Sequence, residues 1–251
     1  YIAQGNGSGI IISKDGYILT NNHVINGANE ISVKLRDGSS YIPTVVGTDN
    51  KYDIAILKID ANNLTPATFG NSDNIKVGEL AVVIGNPLGN LGGTVTNGII
   101  SALEREISLG GITMNLIQTN AAINPGNSGG GLFNKNGELV GIVIAKSSGI
   151  DIEGLGFAIP INKVKSAVQD IIDLGYVQGR PFLGLILEDS TYSQGFFNIS
   201  FNIGAQVKEI IKEYGAEMSG IKVGDIIVAI DSTKISSASD VISAISNYKV
   251  G

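Results

Sequence analysis

The stretch Asn124-Pro125-Gly126-Asn127-Ser128-Gly129-Gly130-Gly131 places one serine among four glycines, in a loop between two apolar runs. Glycine lets the backbone adopt dihedral angles that are closed to other residues and lets its N–H groups approach a ligand closely. A nucleophilic serine needs such a loop, with an exposed hydroxyl beside N–H donors that face a developing oxyanion. A glycine-rich turn that only joins two strands is the competing interpretation, so residues elsewhere in the chain must decide.

The chain contains a single histidine, His23, and any Ser–His mechanism must use it as the general base. Neutral imidazole is the usual base, since its ordinary pKa of about 6.5 lies near physiological pH. Gly126-Asn127-Ser128-Gly129-Gly130 also fits the G-x-S-x-G motif of α/β-hydrolases, but their histidine follows the serine, and none follows Ser128 here. The subtilisin order leaves only Asp15 as the acid, which is unattractively close to His23. The chymotrypsin order of His, Asp and Ser remains.

Asp53 is the candidate acid, because it stands directly before the apolar strand Ile54-Ala55-Ile56-Leu57. In a triad its carboxylate accepts the imidazole N–H and stabilises the imidazolium that forms. Ser128 then attacks a carbonyl carbon, and the backbone N–H groups of Gly126, Asn127 and Ser128 are the predicted oxyanion hole. Taken singly, the histidine could be structural and the carboxylate could cap a turn, but the ordered set favours catalysis.

Composition favours a mostly β protein with many tight turns. The 251 residues include 34 glycines, 43% apolar residues, few aromatic residues and no cysteine. A net charge of −6 without a basic run argues against a nucleic-acid partner. One histidine and no cysteine leave no zinc site of ordinary type, so we predict no metal and no cofactor.

The order of patterns along the chain predicts two domains, covering residues 1–178 and 179–251. Short apolar strands separated by Asp-Gly and Asn-Gly turns fill residues 1–160, and one helix with apolar positions from Ile161 to Ile172 ends at Gly175. Gln178-Gly179-Arg180-Pro181 then resembles a linker. The small α+β domain beyond it is predicted to have strands at 183–187, 207–211 and 225–230, with helical segments near Ala216 and at 239–248.

Several segments occur in the order and with the spacing of a known family. They are Gly7-Ser8-Gly9, Thr20-Asn21-Asn22-His23-Val24, Asp53-Ile54-Ala55, Ile84-Gly85-Asn86-Pro87-Leu88-Gly89, the serine segment from Ala121 to Gly130, and Gly156-Phe157-Ala158-Ile159-Pro160. They resemble the HtrA/DegP family of trypsin-like serine endopeptidases. The resemblance implies a double β-barrel protease domain whose first strand precedes residue 1, with His23 as base, Asp53 as acid and Ser128 as nucleophile. It also implies that Ile123 lines a primary specificity pocket for Val, Ala, Ile or Leu, with residues 146–153 as the other wall. Asn120 departs from the family, which usually has Asp there.

Residues 181–251 are similar to the PDZ domain that follows the protease in this family. Phe182-Leu183-Gly184-Leu185 resembles the loop whose N–H groups bind a peptide's C-terminal carboxylate, and Arg180 would add a positive charge. The resemblance implies that the last strands of this domain lie beyond Gly251. The alternative is that Leu183, Leu185 and Leu187 are ordinary core residues.

The resemblance implies ATP-independent hydrolysis of misfolded or unfolded proteins, as part of extracytoplasmic quality control and the stress response. It places the full-length protein in the periplasm or cell envelope, with a membrane anchor in a preceding segment as one arrangement, and implies a homotrimer or larger oligomer. Two rivals remain: a chaperone or peptide-binding protein whose protease site is resting, and a scaffold that acts through the PDZ domain alone.

Overall fold

Two units make up the structure, one ending at Gln178 and the other beginning at Gly179. The computed structural model describes residues 5–87, 93–109, 112–145, 154–194, 199–245 and 248. Strands dominate both units, which confirms the mostly β prediction. No helix within these described ranges is long and apolar enough to cross a membrane.

The first half of the first unit contains a four-stranded antiparallel sheet. Its strands are β1 (Ile10–Ile11), β2 (Tyr17–Asn21), β5 (Thr44–Asp49) and β6 (Ile54–Lys58), in the order β1-β2-β6-β5. A separate hairpin pairs β3 (Val33–Lys34) with β4 (Ser40–Tyr41), and the short helix α1 (Asn22–Ile25) follows β2 directly. The apolar β6 is buried almost throughout, because it lies between two neighbours in the sheet and over the core of this half.

The second half is a closed barrel. Its strands are β8 (Leu80–Gly85), β9 (Thr94–Leu109), β10 (Ile112–Thr119), β11 (Gly131–Phe133), β12 (Glu138–Ile144) and β13 (Gly156–Pro160). They follow the order β11-β8-β9-β10-β13-β12, and β12 pairs with β11 to close the ring. The two-residue β7 (Thr68–Phe69) adds to β12 in parallel. Small and branched apolar side chains such as Ala81, Val83, Leu132 and Val143 fill the interior.

The predicted helix is present as α2 (Ile161–Leu174). Ile161, Val164, Ala167, Val168 and Ile171 are buried along one face, as expected for apolar residues at helical spacing. Gly175 ends the helix in the left-handed conformation, with φ of 85°, and its N–H bonds to the Ile171 carbonyl at 2.9 Å.

The second unit has a three-stranded sheet in the order β14-β15-β16, formed by β14 (Leu185–Gln194), β15 (Ile199–Ile210) and β16 (Ile226–Ile227). The prediction of one continuous strand over residues 225–230 is wrong. The chain leaves β16 after Ile227 and forms β17 (Ala229–Ile230), which pairs with β18 (Thr233–Lys234) in a separate hairpin. The helices are α3 (Gly215–Met218) and α4 (Ala238–Ile245), and α4 packs its Val241 and Ala244 on a small core.

Candidate active site

Strand pairing brings the histidine and the aspartate together. In the ladder between β2 and β6, Asn21 is opposite Ile54, so the end of β2 lies beside the start of β6. His23 lies just past that end, in α1, and Asp53 directly precedes β6. The Asn21 side-chain amide donates to the Asp53 carbonyl at 3.0 Å, as does the Asn22 N–H at 3.0 Å. These bonds hold Asp53 in a left-handed conformation, with φ of 51°.

The Asp53 carboxylate uses both of its oxygens on His23. Oδ2 lies 2.5 Å from the imidazole Nδ1, and Oδ1 accepts the His23 backbone N–H at 2.9 Å. Asp53 is only 9% exposed, so the pair is largely shielded from water. A carboxylate can only accept, so Nδ1 carries the hydrogen and Nε2 is left as an acceptor. This arrangement keeps the imidazole in the tautomer that a general base requires.

The imidazole and the serine hydroxyl are within hydrogen-bond distance. His23 Nε2 lies 3.1 Å from Ser128 Oγ, so the hydroxyl can donate its proton to the ring. Ser128 is 5% exposed and lies in the loop before β11. The backbone N–H of Ala145 also donates to Ser128 Oγ, at 2.8 Å. The hydroxyl oxygen therefore has one partner that can remove its proton and one that stabilises its lone pair.

The backbone N–H groups of residues 126–130 divide into used and unused donors. Three of the five donate within the protein: Asn127 to the Asn124 carbonyl at 3.0 Å, Gly129 to the Val143 carbonyl at 3.0 Å, and Gly130 to the Asn127 carbonyl at 2.9 Å. Within the described part of the chain, the N–H groups of Gly126 and Ser128 have no partner, although both residues are buried. The inclusion of Asn127 in the predicted oxyanion hole needs correction, because a turn within the loop already uses its N–H. Buried N–H groups are seldom left unpaired, so the remaining pair is a candidate ligand site.

Ile123 lies next to the serine loop, where the family resemblance places the specificity pocket. Its side chain is half-buried and packs against the barrel core. A Cβ added at Gly156 would come within 2.5 Å of Ile123 Cδ1, so the Ile123 side chain faces a backbone without a side chain. The second predicted wall, residues 146–153, lies outside the described residues. Asn120 lies three residues before Ile123. Its Oδ1 accepts the Ile99 N–H at 2.8 Å.

In the second unit, the predicted peptide-binding loop leads into an edge strand. Residues 182–184 precede β14, and β14 pairs only with β15 among the described strands. The Gly184 carbonyl accepts the Ile211 N–H at 2.8 Å and the Leu183 carbonyl accepts the Ala216 N–H at 2.9 Å, so the loop is fixed through its carbonyl groups. In the same described ranges, no partner is found for the N–H groups of residues 182–184.

The side chains of this loop have different surroundings. Phe182 is 52% exposed and meets the Tyr214 ring edge to face, with 4.9 Å between ring centroids. Leu183 packs against the small core, as expected if it is an ordinary core residue. Leu185 is the first residue of β14 and is half-buried. Gly184 has φ of 80°, a left-handed conformation that few other residues adopt. Arg180 is partly buried and has an interaction within the chain.

Comparison with known proteins finds a related family model for each of the two parts of the chain. Residues 7–142 match the trypsin-like peptidase domain, and residues 181–251 match the PDZ domain. A solved structure of the HtrA-type protease AlgW with a decapeptide superimposes with a TM-score of 0.66, at 40% identity over 98% of this chain and 75% of that one. The chain belongs to the HtrA/DegP family of serine proteases.

Curated relatives of this HtrA/DegP family chain are longer. A probable periplasmic serine protease do/HhoA-like of Haemophilus influenzae is 45% identical over 99% of this chain and 54% of its own length. The periplasmic pH-dependent serine endoprotease DegQ of Escherichia coli is 42% identical over 99% of this chain and 55% of its own length. The chain thus spans about half the length of the curated relatives that it matches.

The sequence patterns missed the backbone partners of this HtrA/DegP family site. Ala145 and Val143 contact the serine loop only through main-chain groups, which leave no residue-type signal. Ser8 was singled out only as part of Gly7-Ser8-Gly9, yet its hydroxyl bonds to Gly126. A small polar residue between two glycines was the available signal for that contact.

Proposed function

We propose that the chain is an ATP-independent serine endopeptidase that acts on misfolded or unfolded proteins outside the cytoplasm. The observation that carries the proposal is the pairing of Ser128 and His23 beside two buried, unpartnered N–H groups, those of Gly126 and Ser128. A nucleophile with its base and an oxyanion site are the parts that acyl transfer requires.

In the proposed reaction, Ser128 Oγ attacks the scissile carbonyl carbon while His23 Nε2 takes the hydroxyl proton. Asp53 stabilises the imidazolium and holds Nδ1–H in place. The carbonyl oxygen becomes an oxyanion, which the N–H groups of Gly126 and Ser128 bind. His23 then gives the proton to the leaving amine, an acyl-enzyme remains on Ser128, and water releases it by the same steps in reverse.

The substrates we propose are extended polypeptide segments with a medium-sized apolar residue before the cleaved bond, such as Val, Ala, Ile or Leu. The half-buried Ile123 against Gly156 supports this preference, because it supplies an apolar wall beside the serine loop. Folded proteins rarely expose an extended strand, which is why unfolded chains are the expected substrates. The mechanism needs no nucleotide.

The second unit is proposed to bind peptide C-termini. Unpartnered N–H groups of residues 182–184 would bind the terminal carboxylate, and the open edge of β14 would pair with the peptide backbone. Relatives are named periplasmic, which supports a location in the periplasm or cell envelope. A homotrimer or larger oligomer, and a part in the stress response, are further proposals for the full-length protein.

Peptide binding can be tested by fluorescence polarisation with two labelled peptides that end in Val, one with a free carboxylate and one with a C-terminal amide. We expect the free acid to bind at least about tenfold more tightly, since an amide loses the charge that the N–H groups bind. Gly184→Val should abolish the difference, because a Cβ there would lie 2.3 Å from Tyr214 Cβ. Equal affinity of the two peptides for the unchanged protein would reject carboxylate recognition.

Proteolysis is tested by the hydrolysis of unfolded casein, with Ser128→Ala as the inactive variant. Ser108→Ala is the matched control, because the Ser108 hydroxyl bonds to the Thr113 hydroxyl at an exposed position of the barrel. We expect activity in the unchanged protein and in the control, no activity in Ser128→Ala, and one fluorophosphonate adduct on Ser128 by intact mass. Casein hydrolysis that survives Ser128→Ala would disprove the proposal.

A second candidate function is a peptide-binding chaperone whose protease site rests. The bond from the Ala145 N–H to Ser128 Oγ favours it, since that donor competes for the lone pair that must attack. A resting site predicts slow fluorophosphonate labelling and no casein hydrolysis, with suppression of casein aggregation unchanged in Ser128→Ala. Fast labelling with turnover would leave only the endopeptidase.

A further inference from the structure

We propose that Ser8 is a positioning residue that holds the oxyanion-binding loop and couples it to the strand that carries the histidine. The inference rests on the proposed endopeptidase function, because it assigns the control of geometry at that same site. Ser8 lies before β1 and is partly buried, and among the described residues its hydrogen bonds do not include Ser128 Oγ or His23 Nε2.

All the polar groups of Ser8 are used, and each leads to a different part of the site. Its Oγ donates to the Gly126 carbonyl at 2.6 Å and accepts the Asn86 N–H at 2.7 Å. Its backbone N–H donates to the Ser128 carbonyl at 2.8 Å. Its own carbonyl accepts the Thr20 hydroxyl at 2.6 Å.

Two of these bonds are to Gly126 and Ser128, the residues that carry the unpartnered N–H groups. Ser8 bonds to the carbonyl oxygens of both Gly126 and Ser128, while the N–H groups of these two residues have no partner in the described part of the chain. A peptide whose carbonyl is fixed cannot rotate freely about the neighbouring bonds. Ser8 therefore restrains the loop at the two points where donor direction matters.

The other two bonds join Ser8 to Thr20 in the first half of the unit and to Asn86 in the second half. Thr20 lies in β2, three residues before His23, and its side chain is almost fully buried. Asn86 follows the end of β8. The path from His23 through β2 to Ser8 and on to Gly126 thus ties the base and the oxyanion donors to one frame.

The serine loop also approaches the Ser8 segment closely at Gly129. A Cβ added at Gly129 would lie 2.2 Å from the Ser8 carbonyl oxygen and 2.3 Å from Thr20 Oγ1. The serine loop and the Ser8 segment are therefore packed backbone against backbone. Without the Ser8 hydroxyl, the Gly126 carbonyl and the Asn86 N–H would both lose their partner in this partly buried place, and the loop would relax to satisfy them.

The test compares Ser8→Ala and Ser8→Thr with the unchanged 251-residue chain, using a fluorogenic peptide substrate. A misplacement of about 1 Å can cost a factor of about 10² in rate, so we expect Ser8→Ala to lower kcat about 10²-fold with little change in KM. Ser8→Thr keeps the hydroxyl and should recover most of that loss. Ser13→Ala is the matched control, since it removes a serine hydroxyl that accepts the Tyr17 N–H in the adjacent hairpin.

A second measurement separates positioning from folding. A peptide aldehyde binds as a tetrahedral oxyanion, so its affinity should fall in Ser8→Ala by about the same factor as kcat/KM. Binding of the product peptide that carries the new amino terminus should stay unchanged, because it presents no anionic oxygen to the loop. The midpoint of the pH profile should not move, because the His23–Asp53 pair is untouched.

Three results would overturn the inference: activity of Ser8→Ala within about threefold of the unchanged protein, an equal loss of aldehyde and product binding, or a shifted pH midpoint. Hydrolysis that persists in Ser128→Ala would instead refute the endopeptidase function itself. The two failures are therefore distinguishable in the same set of assays.

Discussion

Replacing Asp53 with Asn changes one atom of the site and should reverse the polarity of the imidazole. Asp53 Oδ1 accepts the His23 backbone N–H at 2.9 Å, and that donor forces the amide oxygen of an asparagine to the same place. The amide NH₂ must then face His23 Nδ1, where Oδ2 now lies at 2.5 Å. An NH₂ group needs an acceptor, so the ring hydrogen moves to Nε2 and points at Ser128 Oγ.

The expected loss of kcat follows because Asp53→Asn removes the general base and leaves the fold intact. A wrong tautomer at such a triad lowers kcat by about 10⁴-fold, which corresponds to about 5.4 kcal/mol in the activation barrier. The backbone should tolerate the change, because φ of 51° at this position suits Asn as well as Asp. The thermal midpoint should therefore shift by less than about 4 °C.

The assay is kcat for a fluorogenic peptide, with the thermal midpoint measured on the same samples. Asp37→Asn is the matched control, because it removes a carboxylate from an exposed turn outside the site. Asp53→Ala is the companion variant, since it removes orientation without imposing a tautomer. If Asp53→Asn keeps kcat within about tenfold of the unchanged protein, or greatly exceeds Asp53→Ala, the tautomer argument is wrong.

Three further outcomes are expected. Gly129→Ala should abolish fluorophosphonate labelling of the serine loop, because φ of 82° and a Cβ 2.2 Å from the Ser8 carbonyl oxygen force the loop to move; labelling at the normal rate would contradict this. Activity should fall as the medium is acidified, because a protonated Nε2 cannot take the Ser128 proton, and activity that rises on acidification would exclude His23 as the base. The Ser39 hydroxyl and N–H lower the pKa of Asp37, so that contribution to stability is present above the ordinary carboxyl range and lost as pH falls through the lowered value. Ser39→Ala should raise the Asp37 pKa toward 3.8 in a carbon-detected NMR titration, and an unchanged value would reject the assigned cause.

The order of catalytic candidates could be predicted because the chain offers so few of them. With one histidine in the chain, there was no alternative for the base. Because His23 precedes Ser128, the chymotrypsin order required the acid to lie between the two residues. The structure places His23 between the other two residues, with Nδ1 within hydrogen-bond distance of Asp53 and Nε2 within hydrogen-bond distance of Ser128. The donors of the oxyanion hole were harder to predict from the sequence, because consecutive residues in a loop carry identical N–H groups. Only the turn bond from Asn127 to Asn124 shows which of them is used.

Strand β5 depends on a tertiary contact that the residue pattern does not show. In β5, Gly47 interrupts a short and largely exposed run, which weakens any strand signal. A Cβ at Gly47 would lie 2.2 Å from the Gly175 carbonyl oxygen, so the end of α2 requires a glycine there. That requirement comes from a residue far away in sequence, so the local strand propensity does not predict it.

The long sequence separations within the site have a consequence for the order of synthesis. A nascent chain that has emerged only through β10 carries the base and its carboxylate but no nucleophile. A chain that stops before Val143 lacks the partner of the Gly129 and Gly130 backbone groups. If the chain acts as the proposed endopeptidase, a growing polypeptide would therefore hold a fully bonded serine loop only after translation has passed residue 145.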